Sequence, residues 1–336
     1  NILSNAVNTI IEFQAGRDLT YLNILPLFHV AIFLPINCVM VGGTNVMLPE
    51  FNPGAALALI EREKVTFTGC APAIVKFLVE YPDIGKFDLS SLRLVLYAAA
   101  PMPIPVITKA INLLKCDFVQ VFGMTETSPV THILIPEQHV LEGPEYMVRR
   151  LGSVGRPIIN VRSKIVDENG NECPTGIVGE IVDQGDTIMK GYYKMPDATA
   201  ETIRDGWLYT GDMGYADEYG YVYLADRKKD MIISGGENIY PTEVEMCILQ
   251  MSGIADAAVI GVPDKKWGES AKAIVVRKPG ANVTAEDVIE HCLANIAGFK
   301  KPKSVDFVEA LPKNAMGKIQ KNVLREPYWA GRARKI

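Results

Sequence analysis

The sequence predicts an α/β protein in three parts: a parallel sheet with helices on its faces, a small antiparallel barrel or sheet, and a separate small α+β C-terminal domain. Three observations predict it. Between Gly54 and Val121 helical spacing alternates with short apolar runs; from about Gly152 short strands follow one another between turn signals; after Asp226 helices and strands mix again to the end of the chain. With 336 residues the chain has room for two domains, and 48% hydrophobic against 22% charged residues is enough apolar side chain for a substantial core.

Taken in order, Asn1–Glu12 reads as a helix already under way, not as a signal peptide, so the chain is expected to begin inside a domain. Ala55–Lys64 has helical apolar spacing, Val65–Gly69 is a short strand, and Pro72–Glu80 is a helix with proline in its first turn. Leu92–Tyr97, Pro103–Leu114 and Asp117–Val121 repeat the pattern as strand, helix and strand. Strands separated by helices imply a parallel sheet, and ligands of such sheets bind where the strands run out at their carboxyl ends. The loops Ala98–Pro103 and Phe122–Pro129 stand at such ends. Val161–Val166, Ile177–Asp183 and Tyr219–Leu224 are short strands parted by turns at Glu168-Asn169-Gly170 and Asp217–Gly220. Further on, Pro241–Met251 is a helix, Ala257–Val262 and Ala271–Arg277 are strands, and Val305–Val308 is another. Thr284–Asn295 is a helix opened by Thr284 with Asp287 three residues on, close to a capping box. The expected division is 1–225 for a large domain (1–150 its α/β part, 151–225 its β part) and 226–336 for a smaller one.

Composition excludes several classes of function. A net charge of −5 offers no cationic surface for nucleic acid. The six cysteines form no C-x-x-C pair, so buried free thiols in a reducing compartment, the cytoplasm, are expected in place of a zinc site or a disulfide framework. No two of the four histidines stand at metal-ligand spacing. No apolar run reaches the roughly 18–20 residues of a membrane span. Neither G-x-x-x-x-G-K-[ST] nor G-x-G-x-x-G occurs. An oligomer is neither required nor excluded by the sequence.

Four segments nevertheless carry groups that a nucleotide needs. Val119–Pro129 reads VQVFGMTETSP: a strand ends at Phe122, Gly123 turns the backbone, and Thr125 and Glu126 follow. A hydroxyl beside a carboxylate suits a phosphate oxygen and Mg²⁺, although Thr-Glu after glycine is by itself an ordinary turn or cap. Leu208–Gly214 (LYTGDMG) holds Asp212 in what reads as a glycine-flanked loop, where one carboxylate can accept from two hydroxyls or simply close a β-turn. Asp226–Glu237 (DRKKDMIISGGE) combines the guanidinium fork of Arg227 with Gly235-Gly236, which lets backbone approach a ligand. Leu311–Arg325 (LPKNAMGKIQKNVLR) puts Lys318 after Gly317 in a turn, where one lysine can neutralise developing phosphoryl charge or be one of several surface lysines.

In this order and spacing the four segments resemble the adenylate-forming superfamily of AMP-forming acyl-CoA ligases, luciferases and peptide-synthetase adenylation domains. Pro26-Leu27-Phe28-His29, Ala98–Pro103 and Gly191-Tyr192-Tyr193 agree as well, so the resemblance covers essentially the whole chain. Lys229-Asp230-Met231-Ile232 with Ser234–Pro241 (SGGENIYP) is similar to the CoA-using, fatty-acyl-CoA synthetase-like ligases. The resemblance implies ATP (left as AMP), Mg²⁺ and CoA as reactants with a carboxylic acid. It implies that Lys318 bridges carboxylate and phosphate, Thr125 holds the α-phosphate, Glu126 the Mg²⁺, and Asp212 and Arg227 the ribose. It implies adenine between Ala99-Ala100-Pro101 and the ring of Phe122 beside Gly123, a position where the family usually has tyrosine. Asp226 resembles the hinge of a swinging small domain, Gly235, Gly236 and Glu237 a pantetheine tunnel, and His29 a gate to the acyl pocket. Arg149 stands where a malonate-selecting arginine lies, or is plain surface basicity.

The family's phosphate loop lies just upstream of the segment matched by Asn1–Ala6, so this chain alone is expected to bind ATP poorly and turn over little. The implied activity is ATP-dependent ligation of a fatty or related apolar carboxylic acid to CoA. The alternatives are a non-catalytic nucleotide- or CoA-binding derivative of the family, or an enzyme that loads a carrier-protein thiol.

Overall fold

The computed structural model describes residues 1–28, 32–100, 102–314 and 318–330. The chain forms two compact units: Asn1–Thr210 with Tyr215–Leu224, and Gly211–Gly214 with Ala225–Ile336.

The first unit is built on a seven-stranded sheet in the order β2-β1-β3-β4-β5-β6-β7. Its strands are β1 (Thr20–Asn23), β2 (Thr44–Met47), β3 (Phe67–Cys70), β4 (Leu94–Tyr97), β5 (Asp117–Phe122), β6 (His132–Leu134) and β7 (Arg156–Pro157). The first five are mutually parallel, and β6 and β7 close the edge antiparallel. Helices α1 (Ile2–Glu12), α2 (Phe33–Val41), α3 (Pro53–Glu63), α4 (Pro72–Val79) and α5 (Ile104–Leu114) make or accompany the crossovers. Because side chains alternate across a strand, neighbouring residues feed two cores. Leu22, Val95, Tyr97 and Phe118 pack with α3, α4 and α5 through Leu57, Ile60, Val75 and Ile107. Tyr21, Leu96, Val119 and Val121 pack on the other face with Phe67 and Cys38. Each fully buried side chain of this size contributes roughly 1.5–3 kcal/mol. Helix α3 starts as its sequence dictates: the Asn52 side chain accepts from Ala55 N at 3.0 Å, and Pro53 needs no partner for a missing N–H.

The short helix α6 (Glu145–Val148) lies between β6 and β7, and α7 (Pro196–Thr202) lies in a connection of a second, five-stranded sheet. It contains β8 (Val161–Val166), β9 (Gly179–Gly185), β10 (Ile203–Arg204), β11 (Trp207–Ala216) and β12 (Val222–Arg227), in the order β10-β11-β9-β8 with β12 on β11. Two expectations need correction. Leu208–Gly214 is not a loop: Gly211 takes φ +70° within a continuous strand whose burial alternates from Trp207 onward, so the glycines bend the strand without ending it. The last strand begins at Val222, not Tyr219, because the Asp217 carboxylate accepts from the N–H groups of Tyr219 and Tyr221 and holds those residues in a turn.

The second unit carries β13 (Ile232–Ser234), β14 (Glu237–Ile239), β15 (Ile254–Asp264), β16 (Gly268–Arg277) and β17 (Ser304–Phe307), in the order β14-β13-β16-β15 with β17 parallel to β16. Helices α8 (Pro241–Leu249) and α9 (Ala285–Asn295) cover one face through Val244, Cys247, Ile248, Val288 and Cys292 against Ala257, Val259, Ala273 and Val275. The alternate residues Ala258, Ile260 and Ile274 face Leu311 and helix α10 (Lys321–Trp329). The capping box at Thr284 is complete: Thr284 Oγ1 accepts from Asp287 N at 3.2 Å, and Asp287 accepts from Thr284 N at 2.8 Å.

All six cysteines are free thiols; Cys38 and Cys70 are buried in the first unit, Cys247 and Cys292 in the second. Among the described residues no helix is long and apolar enough to cross a membrane.

Candidate active site

In the first unit the parallel register sets Tyr97 opposite Gln120, so the loops leaving β4 and β5 emerge at the same carboxyl edge of the sheet. This brings Ala99 and Ala100, both exposed, to the edge where Phe122 and Gly123 end β5; Pro101 and His29 lie outside the described residues. Ala99 is held at φ +73°, a left-handed conformation that costs a non-glycine residue roughly 1–2 kcal/mol. Gly123 cannot be replaced without rebuilding its loop, since a Cβ there would sit 1.9 Å from the carbonyl oxygen of Pro129. Phe122 is half-buried against Val154, Ile165, Ile181 and Val222. Its ring meets the edge of His132 at 5.6 Å. His132 is fully buried with Nδ1 2.9 Å from the Thr131 hydroxyl; burial holds its pKa below the usual histidine value, against the pull of Asp183.

Thr125 and Glu126 form a single helical turn at residues 125–127, fixed by Thr127 Oγ1, which accepts from Met124 N at 3.0 Å. Thr125 is exposed. Glu126 is met by a segment that sequence reasoning matched but gave no role: Tyr192 Oη donates to Glu126 Oε1 at 2.7 Å, and Met189 N donates to the Glu126 carbonyl at 2.8 Å. Partial burial and the nearby carboxylate raise the Tyr192 pKa, which keeps the phenol protonated and donating. One oxygen of Glu126 is thus oriented by a fixed donor, an arrangement that aims the other. Arg149 is 3.7 Å from Asp217 and lies over the Tyr223 ring at 5.5 Å.

In the second unit three segments converge. Asp212, on β11 and nearly buried, accepts an ion-paired contact from Arg227 Nε at 2.6 Å. Lys318 sits where the chain returns on itself: its N–H donates to Asn314 Oδ1 at 3.0 Å, and Asn314 N donates to the Lys318 carbonyl at 2.9 Å. Although Lys318 is exposed as a residue, loss of water around its ammonium lowers its pKa, Arg227 adds to the fall, and Asp212 opposes it. Asp212, Arg227 and Lys318 are therefore within electrostatic reach of one another. Asp226 is nearly buried, with Oδ1 accepting from Arg227 N and Oδ2 from Thr242 N, both at 2.7 Å, the latter in the first turn of α8.

Gly235 and Gly236 turn the β13–β14 hairpin at φ +64° and +91°, and Glu237 follows, exposed. Here the structure adds a residue that the sequence did not mark. Gly235 N donates to the Trp267 carbonyl at 2.8 Å, and a Cβ on Gly235 would lie 2.5 Å from the Trp267 ring. That ring is 42% exposed, with Lys266 and Lys303 ammonium groups 4.6 and 5.2 Å from its centroid. Both ammonium groups lie over the ring, and Lys303 is also paired with Asp264 at 3.1 Å.

Comparisons with known proteins identify the family. Residues 1–193 match the model of the AMP-binding enzyme, and residues 243–318 that of the AMP-binding enzyme C-terminal domain. A feruloyl-CoA synthase of an Amycolatopsis species is 39% identical over 98% of this chain and 65% of its own length. A long-chain-fatty-acid–CoA ligase of Mycobacterium tuberculosis is 38% identical over 91% of this chain and 59% of its own. The o-succinylbenzoate CoA synthetase of Bacillus subtilis, solved with its acyl-adenylate intermediate, superposes with a TM-score of 0.86 at 32% identity, over 99% of this chain and 65% of that one. The chain thus spans somewhat less than two thirds of these relatives. With a family model over more than half its residues, and a mixed α/β sheet, antiparallel sheet and α+β unit in the same order, the chain belongs to the AMP-binding enzymes, the adenylate-forming acyl-CoA ligase family.

Proposed function

We propose that the whole protein joins a fatty or related apolar carboxylic acid to CoA through an acyl-adenylate, consuming ATP and releasing AMP and pyrophosphate. The observation that carries this reading is the cluster of Asp212, Arg227 and Lys318, three segments distant in sequence whose charges act on one another. In the first half-reaction a carboxylate must approach a polyphosphate, so the demand on the protein is neutralisation of like charge. Lys318 supplies a cation on an exposed return of the chain. Asp212 accepts ribose hydroxyls while Arg227 holds its carboxylate in place. Thr125 donates to the α-phosphate. Glu126 fits Mg²⁺ that arrives with ATP: it is an oxygen donor, half-buried and oriented by Tyr192, and magnesium prefers a few carboxylate oxygens with substrate phosphate and water. Adenine lies along Ala99 and Ala100 beside Phe122.

For the second half-reaction, Gly235, Gly236 and Glu237 line the approach of the CoA thiol, and Lys266 beside Trp267 offers a cation to its anionic nucleotide end. Asp226 serves as hinge between the two, in keeping with domains 1–225 and 226–336. The names of the relatives, feruloyl and long-chain fatty acyl, favour an apolar acid as the class.

The test is AMP release by the whole enzyme across acids from acetate to palmitate, with benzoate and malonate. Activity confined to malonate overturns the apolar assignment. In the same enzyme Lys318→Ala is expected to abolish ATP–pyrophosphate exchange while thioester formation from supplied acyl-adenylate survives within a few-fold. Equal loss of both steps overturns the role given to Lys318.

A further inference from the structure

Helix α10 begins three residues after Lys318; its far end is anchored by Tyr328 Oη, which donates to Asp306 at 2.7 Å, and Trp329 Nε1, which donates to the Gly261 carbonyl at 2.9 Å, but little apolar packing anchors its first turns. None of its residues is buried, Gln320 provides no side-chain cap, and Pro327 interrupts its last turn. Leu324 and Tyr328 are only partly covered by the sheet. Polar links hold it instead. Lys321 Nζ pairs with Glu245 Oε1 of α8 at 2.8 Å, and both side chains are only 14% exposed. That carboxylate is itself fixed, since Oε1 also accepts from Val259 N of β15 at 2.7 Å. One turn further along, Arg325 Nη2 pairs with Asp230 Oδ1 at 2.9 Å, at 13% and 14% exposure, and Arg325 Nη1 donates to the Lys229 carbonyl at 3.0 Å. Residues 228–230 are the turn immediately after Arg227.

Two ion pairs this far from water are costly to form and add little net stability over apolar packing, but they are demanding of geometry. Their geometry is what matters here. Lys321 ties the start of α10 to α8 and β15; Arg325 ties the same helix to the segment that carries Arg227, which in turn holds Asp212. Lys318 is suspended just ahead of both ties. We infer that Lys321 and Arg325 are positioning residues that set the distance of Lys318 from Arg227 and Asp212, a step that rests on the proposed role of Lys318.

The experiment compares Lys321→Met, Lys321→Arg, Arg325→Met and Lys318→Ala in the whole enzyme. A misplacement of the order of 1 Å costs about a hundredfold in rate. Both methionine variants are therefore expected to lower kcat for pyrophosphate exchange by about that factor. KM values for ATP and acid should stay within about threefold, as should thioester formation from supplied adenylate, because substrate binding and the second step do not use the suspended lysine. Lys321→Arg should recover most of the rate, since it can still reach Glu245. Hydrogen exchange supplies a readout free of activity: the amides of Asn314, Lys318 and Gln320, which close the return of the chain, should lose protection in the methionine variants while β15 and β16 keep theirs. If Lys318→Ala is inactive in exchange but Lys321→Met and Arg325→Met are fully active, the inference fails alone. If Lys318→Ala is itself fully active, the proposed role of Lys318 fails and the positioning role with it. Equal loss of both half-reactions in the methionine variants, or no recovery in Lys321→Arg, reduces the pairs to general support of the fold and overturns the inference.

Discussion

Gly235 shows how much a single missing side chain can decide. Its positive φ alone would cost an alanine roughly 1 kcal/mol. The nearer constraint is the Trp267 ring, 2.5 Å from where the Cβ would be. The ring is exposed and can swing away, so Gly235→Ala is expected to fold but to lose the surface beside the hairpin. The expected outcome is a rise of at least tenfold (about 1.4 kcal/mol) in KM for CoA, with pyrophosphate exchange within about twofold, measured as separate half-reactions. The glycine pair itself could be read from the sequence as a close approach of backbone to something. What it approaches could not, because Trp267 arrives from a hairpin some thirty residues on. The same limit hid Tyr192: its partner Glu126 is 66 residues away, and no local pattern links them.

At the scale of elements, the sequence announced those whose signals are local. Helix α9 is the clearest case, with Thr284 and Asp287 satisfying each other's N–H groups as their spacing required. Replacing Thr284 by alanine is expected to remove about 1 kcal/mol of stability, read from urea unfolding, while Thr284→Ser should lose much less. Elements whose signals are not local went unread. Strands β1 (TYLN) and β2 (TNVM) mix threonine and asparagine with apolar residues and show no apolar run of their own; they are strands because β1 pairs with β3 and β2 with β1. Strand β11 was obscured by its own chemistry: Gly211 and Gly214 around Asp212 have the composition of a turn, and only pairing shows the backbone running through. The candidate residues were legible because chemistry constrains their type. Their partners were not, because packing chooses among many residues of the right kind.

For the whole molecule, acid is expected to act through two histidines, half-buried His139 and buried His132. Nδ1 of His139 lies 3.0 Å from the Ile135 carbonyl, which can only accept, so Nδ1 carries the proton and Nε2 accepts from the Tyr97 hydroxyl at 3.0 Å. A second proton on Nε2 would reverse the latter bond, with the Tyr97 oxygen accepting, and would place a charge where burial disfavours it; burial brings the His139 pKa down to about 4 from an ordinary 6.5. Between those two values the unfolded chain binds more protons than the folded one. Stability is therefore complete above the ordinary histidine value and falls as pH drops below it, by about 2 kcal/mol at pH 5. His132 acts in the same direction. Urea unfolding at pH 7 and pH 5 should show this loss, and His139→Gln, which cannot take up the proton, should show about 2 kcal/mol less of it.

The buried cysteines give the two units separate clocks. Burial pushes the Cys70 and Cys292 thiols up to about 12, so the reactive thiolate is all but absent near neutrality while the chain is folded. An alkylating reagent must then wait for the surrounding core to open. Cys70 and Cys38 report the cores on the two faces of the first unit's large sheet, Cys247 and Cys292 the core of the second unit. Mass spectrometry of a timed alkylation would thus record, from four native residues and without any introduced probe, whether the two units open together or in turn.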